Sequence, residues 1–127
     1  MLMATIIALL FLGSGAGLMA EGIEQIHHNI KDQIVDESTR KAALEIVERM
    51  EDTTRDNDDT DNDGEKALLK LIQQYETTTA ELQNHLDASY DQRVKYQQEM
   101  LVLRFELRNK LSREQWDKVF NRNKNAE

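Results

Sequence analysis

A chain of 127 residues with 24 acidic and 16 basic side chains, net charge −8, has room for one modest core and no second. Apolar residues make up 39% and charged residues 31%, a balance that suits thin helices with one buried stripe. The absence of cysteine excludes disulfides, thiolate catalysis and zinc–cysteine centres, and the overall acidity disfavours nucleic acid as a partner. Proline is absent too, where average usage would place about six, so nothing of that kind interrupts a helix. The charge is polarised. Residues 51–65 hold eight acids against Arg55, net −7, whereas residues 93–124 hold nine bases against four acids, net +5.

Residues 2–12 (LMATIIALLFL) are apolar apart from Thr5, and small residues then lead to Ala20. That pattern predicts a secretory signal peptide over residues 1–20. The alternatives are an uncleaved membrane anchor over residues 2–19, just long enough to span a bilayer, and a buried helix of a soluble protein. The first two readings place residues 21–127 outside the cytoplasm, exported to the periplasm or anchored in the inner membrane and facing it.

Ile23, Ile26, Ile30 and Ile34 recur at helical spacing, continued by Ala43, Leu44, Val47 and Met50. Asp36–Thr39 favours a cap and predicts a break, so residues 22–52 form one helix or two stacked ones. The polar run 53–64 has no apolar anchor and predicts a solvated acidic linker at about 53–65. After Gly64, the series Leu68, Ile72, Tyr75, Thr79, Leu82, Leu86 and Ser89 follows heptad spacing, and the stripe drifts onward to Tyr90, Val94, Leu101 and Phe105. One helix from about Glu65 to Lys110 is expected, with Thr77–Thr79 on its surface and the tyrosines in a core or an interface. In LSREQWDKVF (111–120), Ser112 and Gln115 spell a capping box, and Leu111 and Trp116 stand where a hydrophobic staple would. A short final helix is therefore expected at an angle to the long one, and 121–127 are expected to fray. The predicted fold class is all-α: a long-helix hairpin or small bundle with a kinked C-terminal helix, expected to be dimeric.

LSREQ resembles the LTxxQ-type motif of the Spy/CpxP family of periplasmic stress chaperones and the related metal-resistance sensors. The match rests on Leu111, Ser112 and Gln115. Only one copy is present where the chaperones usually carry two, and their surfaces are more basic. The resemblance implies a helical dimer that binds unfolded clients or a signalling partner.

Two metal hypotheses compete with plainer explanations. Glu24 and Asp32 each lie four residues from His28, with His27 adjacent; such i, i+4 pairs chelate zinc, nickel or copper. His85 lies far along the chain, and a hairpin would have to bring it near. The same positions suit ordinary interface histidines. Asp59, Asp61, Asp63 and Gly64 open like a calcium loop, but Lys70 stands where a bidentate Glu is required, so at most weak divalent-cation binding is expected and otherwise no cofactor. No nucleophile motif, HExxH or phosphate loop occurs, and no enzymatic activity is expected. The expected function is that of an extracytoplasmic binding protein, a chaperone or sensor. The alternatives are a metal sensor using His27 and His28, or a structural coiled coil anchored through residues 2–19.

Overall fold

The computed structural model describes residues 16–120, which form four helices and no strand: α1 (Ala16–Gln33), α2 (Glu37–Gln73), α3 (Thr79–Lys110) and α4 (Arg113–Phe120). The architecture is the expected all-α hairpin. α2 and α3 run antiparallel, α1 packs along α2, and α4 folds back against α1. The candidate leader or anchor lies mostly outside the described residues. Its cleavage point, Ala20, lies within α1, and no helix among the described residues is long and apolar enough to cross a membrane.

Each break in the chain has a local cause. Asp36 is extended and caps α2: its carboxylate accepts from the Thr39 amide at 2.9 Å and from the Thr39 hydroxyl at 2.6 Å. Those two bonds hold the Asp36 carboxyl below the usual carboxylate range. Leu111 is extended as well, and its amide closes α3 on the Leu107 carbonyl at 3.2 Å. Immediately after it, the Gln115 amide donates to the Ser112 hydroxyl at 3.1 Å, and the Ser112 amide donates to the Gln115 side-chain oxygen at 2.9 Å. The capping box is therefore formed in both directions, which restarts the helix at Arg113 after a break of only two residues.

The core occupies the end of the hairpin away from its turn. Ile23 and Ile30 of α1, with Ile34 just beyond its end, meet Ala43, Ile46, Val47 and Met50 of α2, and Met100, Leu103, Leu107 and Leu111 close it from the α3 side. Val119 of α4 is also fully buried, with Trp116 and Phe120 partly buried against the same cluster. Burying a side chain of this size contributes about 1.5–3 kcal/mol, and the cluster is continuous, so all four helices share one stabilising unit. A polar tie reinforces α4: the buried Asn29 side chain donates to the Val119 carbonyl at 2.8 Å and accepts from Gln25 at 2.9 Å.

Three expectations from the sequence do not hold. Residues 53–65 are not a linker but the middle of the 37-residue α2. The seam explains this. Met50 and Thr54 are buried, Asn57, Asp61, Gly64, Leu68 and Leu71 follow at steps of three and four, and all are at least half-shielded. The helix keeps its contact face, polar at Asn57 and Asp61 and apolar again at Leu68 and Leu71, and a helix already nucleated adds residues at low cost. Second, the helix expected over Glu65–Lys110 is two helices, interrupted at residues 74–78. Gln74 is extended, the Thr77 amide donates to the Gln74 carbonyl at 3.2 Å, and Tyr75 is fully exposed rather than part of a core. Third, only Thr79 of the threonine run is helix surface; Thr77 and Thr78 lie in the turn before α3. The Thr78 hydroxyl accepts from the Glu81 amide at 3.2 Å and caps α3.

Candidate functional site

α3 carries two apolar faces. One, through Tyr96, Met100, Leu103 and Leu107, is buried against α2. The other runs through Leu86, Tyr90, Val94, Leu101 and Phe105. At 100° per residue it is turned about 130° away from the first. Val94 on this second face is half-buried, and the other four remain 51–65% exposed, with Val102 beside them at 58%. On α2, Leu69 and Ile72 are 54% and 63% exposed. Each sits one residue past a seam position, as Leu86 and Tyr90 do on α3. In an antiparallel pair that offset puts all four on the same side of the hairpin. An exposed apolar face thus begins near Tyr75 at the turn and follows α3 towards the core end. Scattered exposed apolar residues need no explanation, but a contiguous set marks an interaction surface.

The end of the face is held by aromatic contacts. The Arg104 guanidinium lies over the Phe105 ring at 5.1 Å and over the Trp116 ring at 5.2 Å, and Trp116 stacks on Phe120 with centroids 4.2 Å apart. Through Arg104, the orientation of α4 is coupled to the last apolar residue of the face. Of the residues in the LSREQW segment, Leu111 is buried, Ser112 and Gln115 cap α4, and Trp116 meets Arg104.

Midway along the hairpin the seam is polar. The hydroxyls of Thr54 and Tyr96 are 3.0 Å apart in a buried hydrogen bond, and the Thr54 hydroxyl also reaches the Met100 sulfur at 4.0 Å. Burial pushes the Tyr96 phenol above its ordinary value, a shift opposed by the Thr54 bond and reinforced by Asp58 and Asp61. The carboxyl of Asp58 is also raised, first by burial and then by repulsion from Asp61 and Asp59. On the outside of the core end, the exposed Arg49–Glu106 pair bridges α2 and α3 across a shallow groove of mixed charge.

The candidate metal residues are not gathered. Among the described residues no three His, Asp or Glu side chains form a cluster able to hold a metal ion. Glu24, His28 and Asp32 are exposed on α1, and His27 is partly buried. His85 faces the seam near the turn of the hairpin, whereas α1 packs at the opposite end, so folding does not bring it to His27 and His28. Asp59, Asp61 and Asp63 lie within α2, where alternate residues step by about 200° around the axis. Their carboxylates cannot converge as a calcium loop requires, which removes that hypothesis.

The uncovered face was readable only in part. Tyr90, Val94, Leu101 and Phe105 stand out in the sequence as a drifting stripe, but the drift signals a second face rather than the continuation of the first. Leu69 and Val102 carry no periodic signal that separates them from core positions. No protein-family model, curated protein or solved structure matches the chain.

Proposed function

We propose that the protein is an extracytoplasmic, non-enzymatic helical binding protein that holds a protein partner on the uncovered apolar face of its hairpin. The observation that carries this is the line of half-exposed apolar side chains on a helix whose other apolar face is already buried. Water-exposed apolar area of this kind is stabilised by an apolar partner at about 25 cal/mol per Å² covered, and the chemistry it selects is that of an unfolded client or an amphipathic partner helix. Kinship with the Spy/CpxP-like chaperones and sensors belongs to the same proposal. It is supported by the capping box at Ser112 and Gln115 and by the helical hairpin; export is supported by the apolar run and small residues of 2–20.

The test is suppression of aggregation of a thermally unfolding client by the full chain, followed by light scattering. Suppression near a one-to-one ratio is expected. A Leu69→Lys/Ile72→Lys variant with unchanged helicity should suppress less, because both side chains are already exposed and their replacement costs the fold little. Absence of suppression by the unaltered protein would remove the chaperone reading.

A further inference from the structure

Resting on the reading of this face as a protein-binding surface, we infer that its turn half is covered in the uncleaved chain by residues 2–12 of the same molecule, laid against it as the onward course of α1. The face opens there when that segment is cleaved off or drawn into a membrane. The fold leaves a place of this shape. At the base, one flank of the α2–α3 pair is the open groove between Arg49 and Glu106, whereas Leu44 on the other flank of α2 is partly buried against the core, so α1 lies on the Leu44 flank. Leu69 follows Leu44 by 25 residues, which at 100° per residue brings it within about 20° of the same direction. Leu69 is nonetheless 54% exposed, and Leu86 and Tyr90 on the same side of the hairpin are 51% and 65% exposed. One flank is covered as far as α1 reaches and bare beyond it.

Reach and composition select the occupant. α1 turns back from α2 across residues 34–36, so counting from that connection sets Ala16 level with Thr54. Met19 packs against the core, and the chain before it heads towards the turn. At 1.5 Å per residue, residues 2–12 then come level with about residues 58–68 of α2. The Thr54–Tyr96 bond sets that stretch against about residues 82–92 of α3, which include Leu86 and Tyr90. Leu69 lies at its far end. Of the eleven residues 2–12, ten are apolar and none is charged, the chemistry that half-exposed leucines and a tyrosine ring favour. Joined to α1 through Gly13, Ser14 and Gly15, the segment meets the face at an effective concentration on the order of millimolar, so a free partner has to displace it. The base half of the face, at Leu101 and Phe105, stays open. A client that lands there displaces the segment, as suppression by the full chain requires.

The chain has no cysteine, so introduced ones report the contact directly. In the full chain, Tyr90→Cys is combined with Leu9→Cys in one variant and with Leu10→Cys in a second, neighbouring positions that point about 100° apart on a helix. Mild oxidation in dilute, detergent-free solution should give an intramolecular disulfide in at least one of them, read as a faster-migrating band of monomer mass with native helicity by circular dichroism. Val35→Cys, at an exposed position by the base of the hairpin, should form none with either partner. Absence of the disulfide from both Tyr90 variants, or equal linkage to Val35→Cys, would overturn the covering. Ile6→Lys/Leu9→Lys should free the face and shift client suppression to a lower molar ratio, by the fraction of time for which the segment holds the face closed. An unchanged ratio would overturn the closure. Suppression by a full chain that forms no such disulfide upholds the proposed function and removes the covering. A disulfide in a chain that suppresses nothing does the reverse, so the two failures are distinguishable.

Discussion

Gly64→Ala distinguishes a continuous α2 from a linker at this point in the chain. Gly64 lies inside α2, nine residues before its last residue, Gln73, and a Cβ built there meets nothing within 4 Å. The substitution therefore adds no clash. It removes the extra backbone freedom of glycine from the unfolded chain and improves intrinsic helix propensity, together worth about 0.5–1 kcal/mol. For a domain of this size, 1 kcal/mol corresponds to roughly 4–8 °C, so the melting temperature by circular dichroism at 222 nm should rise by about 2–8 °C. Thr60→Pro supplies the opposite arm. It withdraws an amide from the helix ladder and drives the ring against the Asp56 carbonyl, at a cost of about 3 kcal/mol or more. It also deletes the Thr60 hydroxyl bond to that carbonyl, now 2.9 Å long. In a solvated linker both changes would be close to neutral. A Gly64→Ala chain that melts lower, or a Thr60→Pro chain that melts unchanged, would refute a continuous α2.

Three further outcomes follow from the same structure. Ser112→Ala removes the hydroxyl that accepts from the Gln115 amide and should cost about 1 kcal/mol, detected as an earlier denaturant midpoint for Trp116 fluorescence. Asn29→Ala deletes the donor to the Val119 carbonyl and should cost about 1–3 kcal/mol, since that carbonyl loses its side-chain partner inside the fold; Asn29→Asp should cost more by setting a carboxylate against it. Because the folded-state pKa of Asp58 is raised above its unfolded value, the fold binds that proton more tightly than the unfolded chain does. Stability should therefore rise as pH falls from neutral towards the carboxylate range. Asp58→Asn should raise the melting temperature at pH 7 and flatten that rise. The lowered Asp36 acts in the opposite sense, contributing above its unfolded pKa and lost at still lower pH.

Where sequence and structure agree, a short-range chemical device decided the backbone. Asp36 with Thr39, and Ser112 with Gln115, each satisfy helix-end amides within four residues, so the breaks they make are visible without any tertiary information. The T-x-x-E pattern of Thr78 and Glu81 is the same kind of device. It was obscured by the heptad spacing running through it, because Leu68, Ile72, Tyr75, Thr79 and Leu82 keep their period across a five-residue turn. The run 53–65 was illegible for a different reason. Its turn-forming composition is genuine, and helix persists there through a polar seam with α3 and through nucleation at Asp36, neither of which is a local property. The uncovered face lies between these cases. Its residues show in the period of α3, but which of two stripes α2 covers depends on the rotation of one helix against the other.

The change of the hairpin seam from apolar to polar at Thr54 and Tyr96 grades the resistance of the molecule to opening along its length. Below that pair, α2 and α3 share side chains that are almost wholly buried. Just above it the seam holds Asn57, Asp58, Asp61 and Arg93, with only the part-shielded Leu68, Leu71 and Leu82 nearer the turn, and neither the Asn57 side-chain oxygen nor the Arg93 Nε finds a protein hydrogen-bond partner. Sub-global opening starts where few apolar contacts must be broken. The two arms therefore part from the turn end while the base stays shut, in the manner of a clothes-peg gripping at one end. Once parted, the arms lose the packing that steadies their helices, so amide protons beyond Thr54 and Tyr96 are expected to exchange faster than those of the base.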